Sequence, residues 1–570
     1  MRPRSFTGIA RRTFERVLPL GVAVWLGTAL VAAAPSASPA AVPASTPVAK
    51  TRHGAATESR AASETALRVL ERGGTAVDAA VAASFVAGVV APTSSGLGGG
   101  GFALVYRAED HSFTVLDFRE AAPAVLDTAA FERRPLPDAE RGKLTGVPGE
   151  VRGLAWLHHK FGKLSWRALV EPAERLARDG FALEAHMASV IGGKDEQRYR
   201  RMHAVERSFW PGGKAAVLGQ RVQRPELART LHTLGTEGPE SFYTGPIADD
   251  LVAAAARFGG TLTREDFARY QPRELTPLRM AWEGYEVLTM PPPSAGGLFL
   301  AQVLGSFSKQ DLALAGLRTG LGVHQLAETM RGALLDRARY IGDPALIPVD
   351  VARLFAPARL AARKARIAPD RTQAVQALAG EDHGTHALIV ADARGNVVSL
   401  TTTVNTAFGA EIEGERTGIV LNDELDDFTS AQAAAQAGVR FPPNLARPGA
   451  RPTSSMMPTI VLRGGAPVLA LGGSGGYTIP PSVTETLLGI LAGNETPEAA
   501  LKAPRFRFDN SDYSLLIDAA FGDAVRQDLE RRGEKVRVTE AVSAVQVLAF
   551  GPRGVTGAAD PRKGGAVLVR

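Results

Sequence analysis

The chain of 570 residues contains no cysteine. That excludes disulfides, thiolate zinc sites, iron–sulfur clusters and cysteine nucleophiles. Aromatic residues are scarce, at 6%, and are not interleaved with basic runs, which removes the stacking platform of a single-strand nucleic-acid binder. Charge of one sign is also lacking. The formal net charge is +6, but residues 1–34 hold five Arg against one Glu, so the remainder is close to neutral. Histidine is sparse, with ten in all and none after His386. No internal repeat is visible. At 45% hydrophobic content, a chain of this length can bury a large core.

The one long apolar run is Val17 to Ala34, preceded by Arg2, Arg4, Arg11, Arg12 and Arg16. This is the pattern of an export signal, and it predicts a periplasmic or secreted protein, or an anchored one if the segment is retained. Residues 35–57, rich in Ala, Pro and Ser, read as a linker.

Helical spacing runs from Ser59 to Arg72, and Thr75 with Asp78 forms a capping pair for a second, wholly apolar helix through Val90. The glycine run that follows satisfies GxGxxG through Gly96, Gly98 and Gly101. However, it follows a helix and opens a strand, the reverse of a dinucleotide fingerprint. Close backbone packing or a ligand-facing turn fits it better. The returning strand from Phe113 delivers Arg119 and Glu120, and an Arg placed there can fork onto a carboxylate. Two helical stretches follow Gly146-Val147-Pro148-Gly149 and end near Gly180; 224–273, broken by Gly259-Gly260 and Pro272, and 322–340 are also helical. Beyond residue 384 strands dominate, with hairpins at 388–404 and 459–471 and a helix from about Ser482 to Ala492.

Between Thr372 and Ser399 the only alcohol is Thr385, in the run Asp382-His383-Gly384-Thr385-His386 that opens a strand. A threonine hydroxyl becomes a nucleophile when a base lies within reach, and its own α-amine, freed by cleavage of the preceding bond, is one such base. Gly384 suits that cleavage because it tolerates strained backbone. Two other chemistries compete. Gly472-x-Ser474-x-Gly476 fits a serine-hydrolase elbow, but the His that should follow the nucleophile is missing. Asp382, His383 and His386 form a potential metal cluster that lacks an evident further ligand.

Nine segments, in order, carry a resemblance: GGTAVDAAVAASFVAGVVAPTSSGLGGGGF (73–102), DFREAAP (117–123), GVPGEVRG (146–153), MPPPSAGG (290–297), DRARYIGDP (336–344), TTTVNTAFGA (401–410), LNDELDDF (421–428), RPTSSMMPTI (451–460) and GGSGG (472–476). Together they resemble the γ-glutamyltransferase family of N-terminal-nucleophile hydrolases. The resemblance implies an α+β, four-layer αββα fold built jointly by a large fragment, 58–384, and a small one, 385–570, after self-cleavage between Gly384 and Thr385. It implies Thr385 as nucleophile, Thr403 as its hydrogen-bond partner, and the Gly475 and Gly476 amides as the oxyanion hole. Arg119, Ser454 and Ser455 would hold the donor's α-carboxylate; Glu424 and Asp427 would hold its α-ammonium, with Asn405 beside them. The donor would be a glutathione-like γ-glutamyl amide and the acceptor water or an amine, with no metal or organic cofactor. Related members act on glutaryl-type amides or γ-linked polyglutamate, and a scaffold of the same fold that does not cut itself is the non-enzymatic alternative. The chain departs from the family at Ala387 and Ile389, where His and Ser are usual, and at Asp423, where Asn is common.

Overall fold

Along Gly384–Ala391 the side chains alternate between two hydrophobic clusters. Leu388 and Val390 enter one cluster, Ile389 and Ala391 the other. A strand with both faces apolar must be covered on both sides, and that requirement generates the layers. The structure, a computed structural model, describes residues 52–373, 384–540 and 543–570. The export pattern in 1–34, most of the expected linker, and Asp382 and His383 lie outside these residues.

The first sheet has seven strands, in the order Ala566–Val569, Gly54–Thr57, Gly384–Ala391, Val397–Asn405, Gly100–Arg107, Ser112–Asp117 and Arg273–Leu275. The second has six: Gly554–Ala559, Ala544–Gly551, Ala466–Ser474, Thr459–Arg463, Tyr285–Thr289 and Leu278–Trp282. Neighbours in both sheets are antiparallel. Between the sheets lie Ile389, Val397, Phe102 and Leu104 with residues of the second sheet such as Leu471 and Val547. Ser399 Oγ crosses this layer to the Leu471 carbonyl at 3.0 Å.

The outer face of the first sheet is covered by Arg60–Glu71, Ala76–Val90 and Trp166–Asp179. Every residue of Ala76–Val90 is buried. Its start is fixed by the expected capping box, with Asp78 N–H donating to Thr75 Oγ1 at 3.0 Å and Thr75 N–H to Asp78 Oδ2 at 2.9 Å. The helices Gly296–Leu304, Gly320–Tyr340 and Ile479–Leu491 cover the second sheet. The expected four-layer αββα sandwich is therefore the fold. Among the described residues, no helix is long and apolar enough to cross a membrane.

One expected boundary is corrected. The linker was placed at 35–57, yet Gly54–Thr57 is a buried strand between Ala566–Val569 and Gly384–Ala391. Its sequence, Gly-Ala-Ala-Thr, has no β-branched or aromatic residue before Thr57 and blends with the small residues around it. Its burial comes from two flanking strands rather than from its own side chains.

The glycine run at 98–101 packs backbone against backbone. A Cβ on Gly98 would collide with the Val420 carbonyl, one on Gly99 with that of Thr403, and one on Gly101 with that of Thr401. Gly99 also accepts from the Gly149 and Glu150 amides at 2.8 and 2.9 Å. Gly99→Ala is therefore expected to force the first sheet apart. The expected cost is about 3 kcal/mol or more, seen as a drop of several degrees in thermal midpoint and a loss of soluble protein.

Candidate active site

In the antiparallel ladder Thr385 stands opposite Thr403. Both are buried, and their side chains share the face that looks toward the second sheet. A register shift between Thr403 and Asn405 then sets Asn405 opposite Gly384, with Asn405 at φ 77°. Thr403 Oγ1 donates to the Gly384 carbonyl at 2.7 Å and accepts from Asn405 N–H at 2.8 Å. The carbonyl preceding Thr385 is thus polarised by a hydroxyl whose proton is directed by the bulged backbone. Gly384 has no room for a side chain, since a Cβ would strike the Thr93 carbonyl.

The strand Gly54–Thr57 pairs only as far as Leu388, which leaves the edge at 385–387 without a strand partner among the described residues. Two side chains take its place. Glu58 Oε1 accepts from Ala387 N–H at 2.8 Å, and Lys563 Nζ donates to the Thr385 carbonyl at 3.3 Å. The same ammonium lies 2.8 Å from Ser474 Oγ and 3.4 Å from Glu58 Oε2. One buried cation thereby joins the chain at 58, the strand at 385, the end of the strand at 474 and the C-terminal segment. Ser474 leads directly to Gly475 and Gly476, both at positive φ (118° and 57°), ahead of the helix Ile479–Leu491. The candidate oxyanion amides accordingly sit beside a helix N-terminus, where the field favours negative charge. Ser474 itself is buried and its basic neighbour is Lys563, so the elbow arrangement with His is not formed.

Arg119 follows the strand Ser112–Asp117 and is 1% exposed. Its guanidinium pairs with Glu424 and, at 2.5 Å, with Asp427; it also donates to the Pro452 and Thr453 carbonyls at 2.7 and 3.3 Å. That last contact puts it against the turn carrying Ser454 and Ser455, which are also buried. Burial opposes the charge of Arg119, but the two carboxylates more than offset it and raise its pKa. Asn405 links the two halves of the site. Its Nδ2 donates to the Asp423 carbonyl at 3.1 Å while its N–H bonds Thr403. Asp423 directs its carboxylate at Thr406, with 3.0 Å to the amide and 2.6 Å to the hydroxyl. An adjoining cleft of about 980 Å³ is lined by Asp423, Asp427, Phe428, Arg337 and Tyr477, among others.

The expected site residues lie in two groups: Thr385, Thr403 and Gly384, joined through Lys563 to Ser474 just ahead of Gly475 and Gly476, and Arg119 with Glu424 and Asp427 against the turn that carries Ser454 and Ser455, with Asn405 bonded to Thr403 and to the Asp423 carbonyl. Of the rival metal cluster only His386 lies within the described residues, among which no group of three or more His, Cys, Asp or Glu is placed to hold an ion. His386 is buried with Nε2 unpaired, and burial, then Lys563 and His186, pushes its pKa down to about 3. Lys563 and Glu58 escape a reading of the sequence because each lies far from Thr385 along the chain and in no catalytic pattern.

Two further carboxyls are buried, Glu120 next to Arg119 and Glu150 against Thr402. Burial, reinforced by Glu424, raises the pKa of Glu120 well above the usual range, and burial lifts that of Glu150 to about 8, although Glu150 accepts from Thr402 Oγ1 at 2.7 Å. A carboxyl with a raised folded-state pKa keeps its proton while the unfolded chain loses it. Stability is then full below about pH 4.5 and declines until the pH passes about 8. Glu150→Gln, which cannot ionise, is expected to flatten this decline and to raise the thermal midpoint at pH 8.5 by several degrees relative to wild type, with little change at pH 5.

Comparison with known proteins identifies the family. The glutathione hydrolase proenzyme of Escherichia coli K12 is 32% identical over 516 residues, spanning 88% of this chain and 89% of the relative. Glutathione hydrolase 2 of Arabidopsis thaliana is 34% identical over 553 residues, spanning 90% and 93%. Among solved structures, a cephalosporin acylase from Bacillus halodurans superposes with a TM-score of 0.81 at 26% identity, covering 94% of this chain and 99% of the other. The γ-glutamyltranspeptidase of Helicobacter pylori gives 0.53 at 32% identity, covering 58% and 94%. The family model described as Gamma-glutamyltranspeptidase matches residues 62–569, and the chain belongs to that family of enzymes.

Proposed function

We propose that this protein is an exported precursor that cuts itself before Thr385 and then hydrolyses or transfers the γ-glutamyl group of glutathione-like amides. In the first stage Thr385 Oγ adds to the Gly384 carbonyl, which Thr403 Oγ1 already polarises at 2.7 Å. The peptide nitrogen leaves as the α-amine of Thr385, and water releases the ester to give two fragments that remain one fold. In the second stage that amine takes the hydroxyl's proton as Oγ attacks the donor's γ-carbonyl. The Gly475 and Gly476 amides receive the oxyanion, the donor's amine departs with the proton, and water or an amine resolves the acyl-enzyme.

The observation that carries the substrate class is Arg119 set between Glu424 and Asp427. An α-amino acid head brings one anion and one cation, and this site offers the complementary pair of clamps. A glutaryl group, which has no ammonium, would leave Glu424 and Asp427 without their share. The structural likeness to a cephalosporin acylase makes that second donor class the one to compare directly.

The test is intact-mass measurement of the purified protein, amino-terminal sequencing of the smaller fragment, and turnover of γ-glutamyl and glutaryl anilides side by side. A fragment beginning at Thr385 with preference for the γ-glutamyl donor is expected. A single uncut active chain, or preference for the glutaryl donor, overturns the proposal. Export is supported by the Arg-rich, apolar amino terminus, and cell fractionation checks it.

A further inference from the structure

The amine freed at Thr385 must be unprotonated to act as a base, and an ordinary α-amine is largely protonated at neutral pH. In an antiparallel strand a residue points its N–H and C=O to the same side. The nitrogen of Thr385 therefore lies on the same edge as its carbonyl, the edge where Lys563 Nζ sits 3.3 Å from that oxygen. Along this edge the order is Thr385 nitrogen, Thr385 oxygen, Ala387 nitrogen. Lys563 occupies the second place and Glu58 the third. The cation is thus nearer the amine than its carboxylate partner.

We propose that Lys563 is a positioning residue of this centre, its ammonium keeping the freed amine of Thr385 in the neutral form that accepts the hydroxyl's proton, with Glu58 and Ser474 fixing it in place. This rests on the assignment of Thr385 as an amino-terminal nucleophile.

The surrounding groups favour the same outcome. Lys563 is buried, held by Ser474 Oγ at 2.8 Å and Glu58 at 3.4 Å, so its charge is weakly screened. From the strand itself His386 faces the region, and from the helix Ala185–Ile191 so does His186; burial and then Lys563 push both down to about 3, which leaves them neutral. Glu184 is engaged with Ser59 Oγ at 2.9 Å. Among the described residues Glu58 is the carboxylate paired with Lys563, and its own pKa is raised by burial against the opposing pull of that cation. A unit cation about 5 Å from an amine in a partly buried setting lowers its pKa by about one unit or more.

The experiment titrates the amine of the mature enzyme directly. The small fragment's amino terminus is first sequenced, then reductively methylated at a series of pH values, with the rate read by mass. For wild type the rate midpoint is expected about one unit below the ordinary α-amine range of about 7.7–8.0. In Lys563→Met it should rise by about one unit, and the acid limb of kcat/KM should move up with it while KM changes little. Lys563→Arg, which keeps the cation, should stay within a few tenths of a unit of wild type. A structural role alone would lower yield or kcat without moving either titration. An ordinary midpoint in wild type overturns the proposal even if Lys563→Met is never cut, and so does an unmoved midpoint in Lys563→Met. A small fragment that starts at another residue defeats the assignment of Thr385 instead, and sequencing detects this before any titration.

Discussion

Thr385→Ala is expected to give one uncut chain with at least about 10⁴-fold less turnover of a γ-glutamyl anilide than wild type. The size follows from the double use of one residue. Without the hydroxyl nothing attacks the Gly384 carbonyl, so the amine is never released. Even an amine supplied by other means would have no nucleophile to serve. Thr385→Ser keeps the hydroxyl but loses the methyl that restricts χ1 within the buried pair with Thr403. It should still cut itself, more slowly, and retain a measurable fraction of activity. Electrophoresis over time separates the three cases: two bands for wild type, slow conversion for the serine variant, and one stable band for the alanine variant. Two bands from Thr385→Ala would remove the nucleophile from this residue altogether.

The parts of this centre that can be read from the chain are those in which local chemistry and local structure coincide. Gly384-Thr385 opens a strand after a polar approach, and the hairpin through Gly395 brings Thr403 back opposite Thr385 with no long-range information needed. The capping pair Thr75 and Asp78 is legible for the same reason. Arg119 lies some three hundred positions from Glu424 and Asp427, and spacing alone does not join them; only the resemblance of the surrounding motifs does. What remained hidden depends on sheet topology. Gly54–Thr57 looks like linker until two strands bury it. Lys563 looks like a surface residue near the end of the chain until the neighbouring strand Ala566–Val569 carries that segment to the interior. A side chain that substitutes for a missing strand, as Glu58 and Lys563 do, leaves no periodic signature, because its partner is an unpaired backbone edge.

Arg119→Ala is expected to lower both stability and donor capture. The guanidinium is the cation shared by Glu424 and Asp427, with Glu120 close behind. Removing it takes an ion-pair partner from each of two buried carboxylates, at a cost of about 3–5 kcal/mol, so a clear fall in thermal midpoint should accompany the variant. Catalysis should suffer separately. In the proposed donor pose, binding would exchange the internal pairings of Arg119 for intermolecular ones: the substrate carboxylate would take Arg119, and the substrate ammonium the share of Glu424 and Asp427 that Arg119 gives up. Charge is conserved in the exchange, and desolvation of the head group is thereby offset. Without Arg119 the carboxylate would keep only the Ser454 and Ser455 hydroxyls and lose its cation, and kcat/KM for a γ-glutamyl anilide should fall by about 10²–10³-fold. Arg119→Lys separates the two effects. It keeps a positive charge near Glu424 and Asp427, so most of the stability should return. A single ammonium cannot also reach the Pro452 and Thr453 carbonyls, and it cannot grip a carboxylate with two parallel bonds, so donor capture should stay impaired. Thermal midpoints and kcat/KM measured on the same three preparations decide the matter: if Arg119→Lys recovers activity in proportion to stability, Arg119 is an internal brace and the carboxylate is held elsewhere.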